Sequence, residues 1–103
     1  MKLVVKNLTS QRSGREVSNQ FEIRLETRTK LVYQFQSYST TIAKIVYRRG
    51  KGYTSDRRIY LDNNALDYSR TTSKYLYYWL GFGRKEILDR IKNKMIILTD
   101  LNK

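Results

Sequence analysis

The chain has 103 residues, with 21 Lys and Arg against 9 Asp and Glu, a formal net charge of +12 and a pI near 10.1. It contains no cysteine, histidine or proline, which excludes disulfides, thiolate or imidazole metal sites and histidine-based acid–base chemistry. The length predicts a single domain over residues 1–103, and without a long apolar run we expect a cytoplasmic protein that does not span a membrane.

The first third of the chain shows the residue patterns of strands. A β-favouring run at 2–6 is followed by a polar segment at 8–18, which predicts a loop or a wide hairpin connection. Apolar and polar residues then alternate over 20–26 and again over 30–36, which predicts two half-buried strands joined by a turn.

A long antiparallel hairpin with a basic tip is predicted next, from residue 41 to residue 62. In its first strand, Ala43, Ile45 and Tyr47 share one face, while Lys44 and Arg48 share the other face with Ile42 and Val46. The turn is Arg49-Gly50-Lys51-Gly52, because glycine adopts a positive φ without steric cost. The chain returns through 57–62, with Ile59 and Leu61 directed inward.

The last third of the chain changes to helical spacing. Ser69, Thr71 or Thr72 can cap a helix whose apolar stripe is Tyr75, Leu76, Trp79 and Leu80 and which ends at Gly81. A second helix is predicted over 84–93 and a strand over 95–99. The order of elements predicts an α+β fold, an antiparallel sheet of about five strands with two short C-terminal helices packed on one face.

The basic hairpin is the first candidate functional feature. Its cations are Arg48, Arg49, Lys51, Arg57 and Arg58. A two-stranded ribbon fits the major groove of DNA, arginine matches phosphate geometry, and Tyr53 can stack on a base. The alternative is an exposed and merely solvated hairpin tip.

The segment from Tyr68 to Lys74 is the second candidate feature. It brings four hydroxyls, Arg70 and Lys74 to the start of a predicted helix, where free backbone amides attract phosphate. The alternative is ordinary N-capping, which needs only one hydroxyl. We expect Arg70 and Lys74 to extend the basic track of the hairpin. We expect Tyr77 and Tyr78 to face out or to lie at the margin of the core, as a protein interface or a stacking platform.

Several segments of the chain also resemble a known pattern. These segments are Asn19-Gln20-Phe21, Phe35-Gln36-Ser37-Tyr38, Ile42-Ala43, Tyr60-Leu61-Asp62 and Asp67 to Leu76. Together they resemble a small uncharacterised domain family that recurs in phages and mobile elements of low-GC Gram-positive bacteria. The resemblance implies a setting but no catalytic residue, and the basic tip is longer than in typical members of that family.

These features favour a small, basic, non-enzymatic protein of a phage or mobile element that binds DNA or RNA and needs no cofactor. The alternative is an inhibitor of the anti-CRISPR type that docks on a host or defence protein or guide-RNA complex, using Tyr53, Tyr77 and Tyr78 as anchors. A structural or chaperone-like phage component is a third possibility. The carboxylates match no metal-site spacing, so we expect neither catalysis nor a bound metal.

Overall fold

The computed structural model of the chain describes residues 2–10, 13–48 and 57–102. It contains six strands and two helices, in the order β1 (Lys2–Thr9), β2 (Glu16–Glu26), β3 (Lys30–Ser37), β4 (Thr40–Arg48), β5 (Arg57–Asp62), α1 (Arg70–Leu80), α2 (Arg84–Lys92) and β6 (Ile96–Thr99). The predicted α+β class is therefore confirmed, with six strands in place of about five.

The strands form one sheet in the order β1-β2-β3-β4-β5-β6. Neighbours from β1 to β5 pair antiparallel, as predicted. The sheet is mixed, however, because β6 pairs parallel to β5. A parallel neighbour needs a long crossover connection, and α1 and α2 supply it.

The predicted loop or wide hairpin connection at 8–18 does join two antiparallel strands, but its bounds are wrong at both ends, because β1 extends to Thr9 and β2 begins at Glu16. Pairing between these strands shifts register between Asn7 and Thr9. Leu8, at this irregularity, is buried in the core. The shift interrupts the simple alternation of polar and apolar residues, and the strand signal is lost in the sequence.

Both helices pack on the same side of the sheet. Phe35 of β3 stacks on Trp79 of α1 with ring centroids 5.9 Å apart. Glu22 of β2 accepts a 3.0 Å hydrogen bond from Trp79 Nε1. Ile87 of α2 is fully buried in the same core cluster as Phe35.

A bulge in β4 adds a residue to this core. The pairing of β3 with β4 passes from Phe35↔Ala43 to Gln36↔Thr41, which leaves Ile42 as the extra residue. Ile42 and Ala43 are both fully buried in the core cluster. The prediction that Ile42 shares a face with Lys44 is therefore wrong, because the bulge changes the alternation at this point.

The helix ends agree with their sequence signals. Ser69 is the N-cap of α1, and its Oγ accepts a 3.1 Å hydrogen bond from Thr72 N. Gly81 ends α1 in the left-handed conformation with φ 88°. Within the described residues, neither helix is long and apolar enough to cross a membrane.

Candidate nucleic-acid interface

The sheet has an open face, which we define as the side on which neither helix packs. Strand pairing places these apolar, aromatic and cationic residues of β1 to β5 on it: Leu3, Val5, Phe21, Ile23, Leu25, Lys30, Val32, Lys44, Val46, Arg48, Arg58 and Tyr60. The same register adds the polar residues Asn7, Gln34, Gln36 and Thr41. The members from β1 and β2 form an apolar half, in which Leu3 is 60% and Val5 57% exposed. The cations all lie on β3, β4 and β5.

A basic groove of about 300 Å³ lies in the cationic half of the open face. It is lined by Lys30, Lys44, Val46, Arg48, Arg58, Tyr60, Thr99 and Leu101. No acidic residue is among these lining residues. The groove therefore gathers four cations around one tyrosine, and it is the most positive concave feature that we find among the described residues.

Strand register brings these cations together. Lys30 lies directly opposite Arg48, and Lys44 lies opposite Tyr60. Like charges directly opposite each other on one face destabilise a sheet. In the part of the chain that the structure describes, the ion pairs use Lys6, Arg24 and Arg90, and none involves a cation of the basic groove. The uncompensated charge makes the groove attractive to an anion.

Asp62 holds the end of the basic groove in place. Its Oδ1 accepts hydrogen bonds of 3.1 Å from Leu101 N and from Asn102 Nδ2. Its Oδ2 accepts from Tyr68 Oη at 2.7 Å and from Asn64 N at 3.2 Å. Because the carboxylate is 3% exposed and accepts four hydrogen bonds, it fixes the chain after β6, where Leu101 lines the groove.

These contacts change two pKa values. Burial raises the pKa of Asp62. The hydrogen bonds from Tyr68, Leu101, Asn64 and Asn102 together lower the pKa by more than burial raises it, so it lies below its ordinary value of 3.8. Burial of the hydroxyl, followed by the hydrogen bond to Asp62, raises the pKa of Tyr68 to about 12. Asp62 therefore stays ionised and Tyr68 neutral at physiological pH.

The cations predicted for the hairpin are divided between the two faces. Arg48 and Arg58 line the basic groove. Arg57 lies opposite Tyr47 on the other face, where Tyr47 makes an edge contact with Tyr33 at 6.0 Å between ring centroids. Arg49, Lys51 and Tyr53 lie outside the described residues.

Arg70 and Lys74 do not extend this track, because α1 lies on the opposite side of the sheet. They line a second surface, the helical groove, of about 920 Å³. Its other members include Tyr77, Tyr78, Phe82 and Arg84. Tyr78 is 45% exposed and Tyr77 is half-buried, in agreement with their predicted marginal position.

Two of the four hydroxyls at the start of α1, those of Ser69 and Thr72, have structural roles. Thr72 is buried, and its Oγ1 lies 3.1 Å from Ser37 Oγ of β3. Ser69 both caps the helix and donates to Thr72 Oγ1. Gln20 Nε2 donates to Ser37 Oγ at 3.0 Å, which completes a buried polar chain from β2 to α1. This chain favours the capping interpretation of the segment over a phosphate site.

Lys30 and Lys44 are the candidate site residues that sequence reasoning did not select. The signal for Lys44 was present, because it alternates with Val46 and Arg48 on one face of β4. Lys30 could be found only from the register of β3 against β4. Over residues 2–10, 13–48 and 57–102, no three Asp or Glu residues lie close enough to hold a metal ion.

Comparison with known proteins gives one match. Residues 3–96 match the family described as "Family of unknown function (DUF8033)". No curated protein and no solved structure matches the chain. The match covers most of the 103 residues, from β1 into β6, and it includes the open face. The chain therefore belongs to this uncharacterised domain family.

Proposed function

We propose that the protein is a small, non-enzymatic nucleic-acid-binding accessory protein of a phage or mobile element that acts in the host cytoplasm. The observation that supports this most is the basic groove, where Lys30, Lys44, Arg48 and Arg58 surround Tyr60 without an acidic neighbour in the lining. Phosphates neutralised by lysine and arginine supply most of the affinity in sequence-independent binding. The setting in a phage or mobile element is supported by the sequence resemblance alone.

The proposed ligand contacts differ from those expected from sequence. Arg48 and Arg58 remain as phosphate contacts, and Lys30 and Lys44 join them on the open face. Arg70 and Lys74 are removed from this surface, since the sheet separates them from it. Phosphate contacts position a nucleic acid without reading its sequence, so we expect weak sequence specificity.

The test is the salt dependence of binding to a labelled oligonucleotide, measured by fluorescence anisotropy. If the four cations each neutralise one phosphate of a single strand, log affinity should fall against log salt with a slope of about −2.8. The double variant Lys44→Ala/Arg58→Ala should reduce that slope to about −1.4. The matched control is Arg70→Ala/Lys74→Ala, which removes two cations from the other side of the molecule and should leave the slope unchanged.

Equal slopes for the two double variants would contradict the assignment of the site to the open face. Circular dichroism should show that both variants remain folded, because Arg58, Arg70 and Lys74 are exposed and Lys44 is half-buried. No binding even in dilute buffer would reject the proposed function.

A second candidate function is inhibition of a host or defence complex, of the anti-CRISPR type. The helical groove favours it, because Tyr77, Tyr78 and Phe82 lie there beside Arg70, Lys74 and Arg84. Tyrosine and arginine are the residues that most often anchor protein interfaces. The variant Lys74→Ala/Tyr78→Ala separates the two functions, because it should abolish inhibition while leaving binding of oligonucleotides to the open face intact.

A further inference from the structure

The proposed function does not explain the exposed apolar half of the open face, since phosphates make no favourable contacts with aliphatic side chains. We infer that the ligand of this face is a single-stranded nucleic acid, with its phosphates in the basic groove and its unpaired bases against the apolar half. This inference rests on the proposed function and adds the class of nucleic acid.

The two halves of the open face form one continuous surface. Leu3 pairs with Leu25, Leu25 with Val32, and Val32 with Val46, so an apolar row crosses four strands. Leu3 is exposed, Leu25 and Val46 are half-buried, and Val32 is buried between them. The same row continues from Val46 to Arg58. Because neighbouring strands lie about 4.8 Å apart, an extended ligand that spans about 14 Å contacts both an apolar strand and a cationic strand.

A single strand has the chemistry that matches such a surface. Its backbone is anionic, and its unpaired bases expose apolar faces that stack on aromatic rings and pack on aliphatic side chains. Tyr60 lies at the boundary, opposite Lys44 and within the basic groove. A duplex buries its bases in the stack, so it would engage the cations and leave Leu3 and Val5 in water.

A second copy of the chain matches the surface less well. Two open faces brought together would place Lys30, Lys44, Arg48 and Arg58 of each copy in the same interface. Asp62, which follows Tyr60 on the same face of β5, is already occupied by four hydrogen bonds. Uncompensated like charges oppose such a pairing.

The test compares a twelve-nucleotide single strand with the duplex of the same sequence by fluorescence anisotropy at one salt concentration. We expect the single strand to bind at least tenfold more tightly. Loss of one stacked base costs roughly tenfold in affinity, so Tyr60→Ala should weaken binding of the single strand by about that factor. Tyr60→Phe should retain it, because the ring remains.

The apolar half is tested by Leu3→Ser/Val5→Ser, which should weaken single-strand binding severalfold without changing the salt slope. Leu3 is 60% and Val5 57% exposed, so the double variant should remain folded. The control is Val4→Ser, on the opposite side of β1 and 43% exposed, which should bind as the wild type does.

The outcomes separate this inference from the proposed function. Equal or tighter binding of the duplex would overturn the inference and leave nucleic-acid binding intact, whereas no binding of either form would end both. Binding of vesicles with anionic lipids in preference to oligonucleotides would also overturn it. So would a dimer in light scattering that Leu3→Ser/Val5→Ser dissociates, since a second copy would then cover the face.

Discussion

At the scale of single residues, buried hydrogen bonds hold the elements of this protein together. A series of side-chain hydrogen bonds runs from Gln20 through Ser37 and Thr72 to Ser69, and it joins β2, β3 and the start of α1 in the protein interior. One acceptor in this series, Gln20 Oε1, is buried and has no hydrogen-bond partner among the described residues. Asp62 forms the second such centre, where its carboxylate joins β5 to the end of the chain.

Asp62 should make stability depend on acidity. A carboxyl group with a lowered folded-state pKa stabilises the fold above its unfolded pKa, and this stability is lost as the pH falls through the folded pKa. The pKa of Asp62 lies below 3.8, so its contribution should be complete at pH 6 and should decline below about pH 4.

Thermal unfolding of the wild type and of Asp62→Asn from pH 6 to pH 2.5 measures this contribution. Because Asn cannot accept all four hydrogen bonds, we expect the variant to be about 1–3 kcal/mol less stable at pH 6. The difference should narrow below about pH 4, where the carboxyl of the unfolded wild type takes up a proton before that of the folded protein does. Parallel curves over the whole range would show that the charge of Asp62 does not contribute.

At the scale of elements, α1 shows how residues that define a helix locally also make its tertiary contacts. Ser69 begins the helix, Gly81 ends it, and the stripe between them covers the sheet. The end at Gly81 also leads directly into α2 and lines the helical groove. The left-handed conformation at this position, with φ 88°, is therefore a requirement of the crossover from β5 to β6.

Gly81→Ala should destabilise the protein by about 1–2 kcal/mol, because a Cβ is unfavourable in the left-handed region. A Cβ added at Gly81 meets no atom within 4 Å, so the cost is conformational and does not come from a clash. Gly83→Ala is the matched control, since Gly83 has φ −91° and equally free space. Thermal melts in which the two variants lose equal stability would contradict this explanation.

At the scale of the whole molecule, both sides of the sheet carry clustered cations, but the neighbours of these cations differ between the two sides. The open face collects cations beside apolar residues, whereas the helical groove collects cations beside aromatic rings and includes one acid, Asp67. The chain as a whole has 21 Lys and Arg against 9 Asp and Glu, which leaves a net charge of +12.

This excess should make the folded protein more stable in salt. Self-repulsion of a strongly charged protein disfavours the compact state, and added salt screens it. We expect the melting temperature to rise by a few degrees between about 20 mM and about 500 mM NaCl. Lys44→Gln/Arg58→Gln should show a smaller rise because it removes two of the four cations of the basic groove. A melting temperature that falls with salt would instead show that ion pairs dominate.

Local patterns predicted the elements of the fold well. Alternation located β2 to β5, capping residues located α1, and apolar spacing located α2, because these signals depend only on neighbours in sequence. The strand at Ile96–Thr99 was predicted from its apolar run, but its parallel pairing with β5 follows a crossover that no local pattern describes. The bulge at Ile42 and the register shift after Asn7 were missed for the same reason, since each is defined by a strand partner.

The sequence by itself determined the class of fold, the strong positive charge and the absence of cysteine and histidine chemistry. Only the tertiary structure decided which alternating face each strand turns to the helices. In β2 the polar Glu22 meets Trp79, while apolar Phe21 and Ile23 remain on the open face. Contacts between residues 57 positions apart make that choice. The same choice places Lys30 and Lys44 beside Arg58 on the open face, while Arg70 lies on the side of the helices. Strand alternation defines two faces, but packing decides which one is covered.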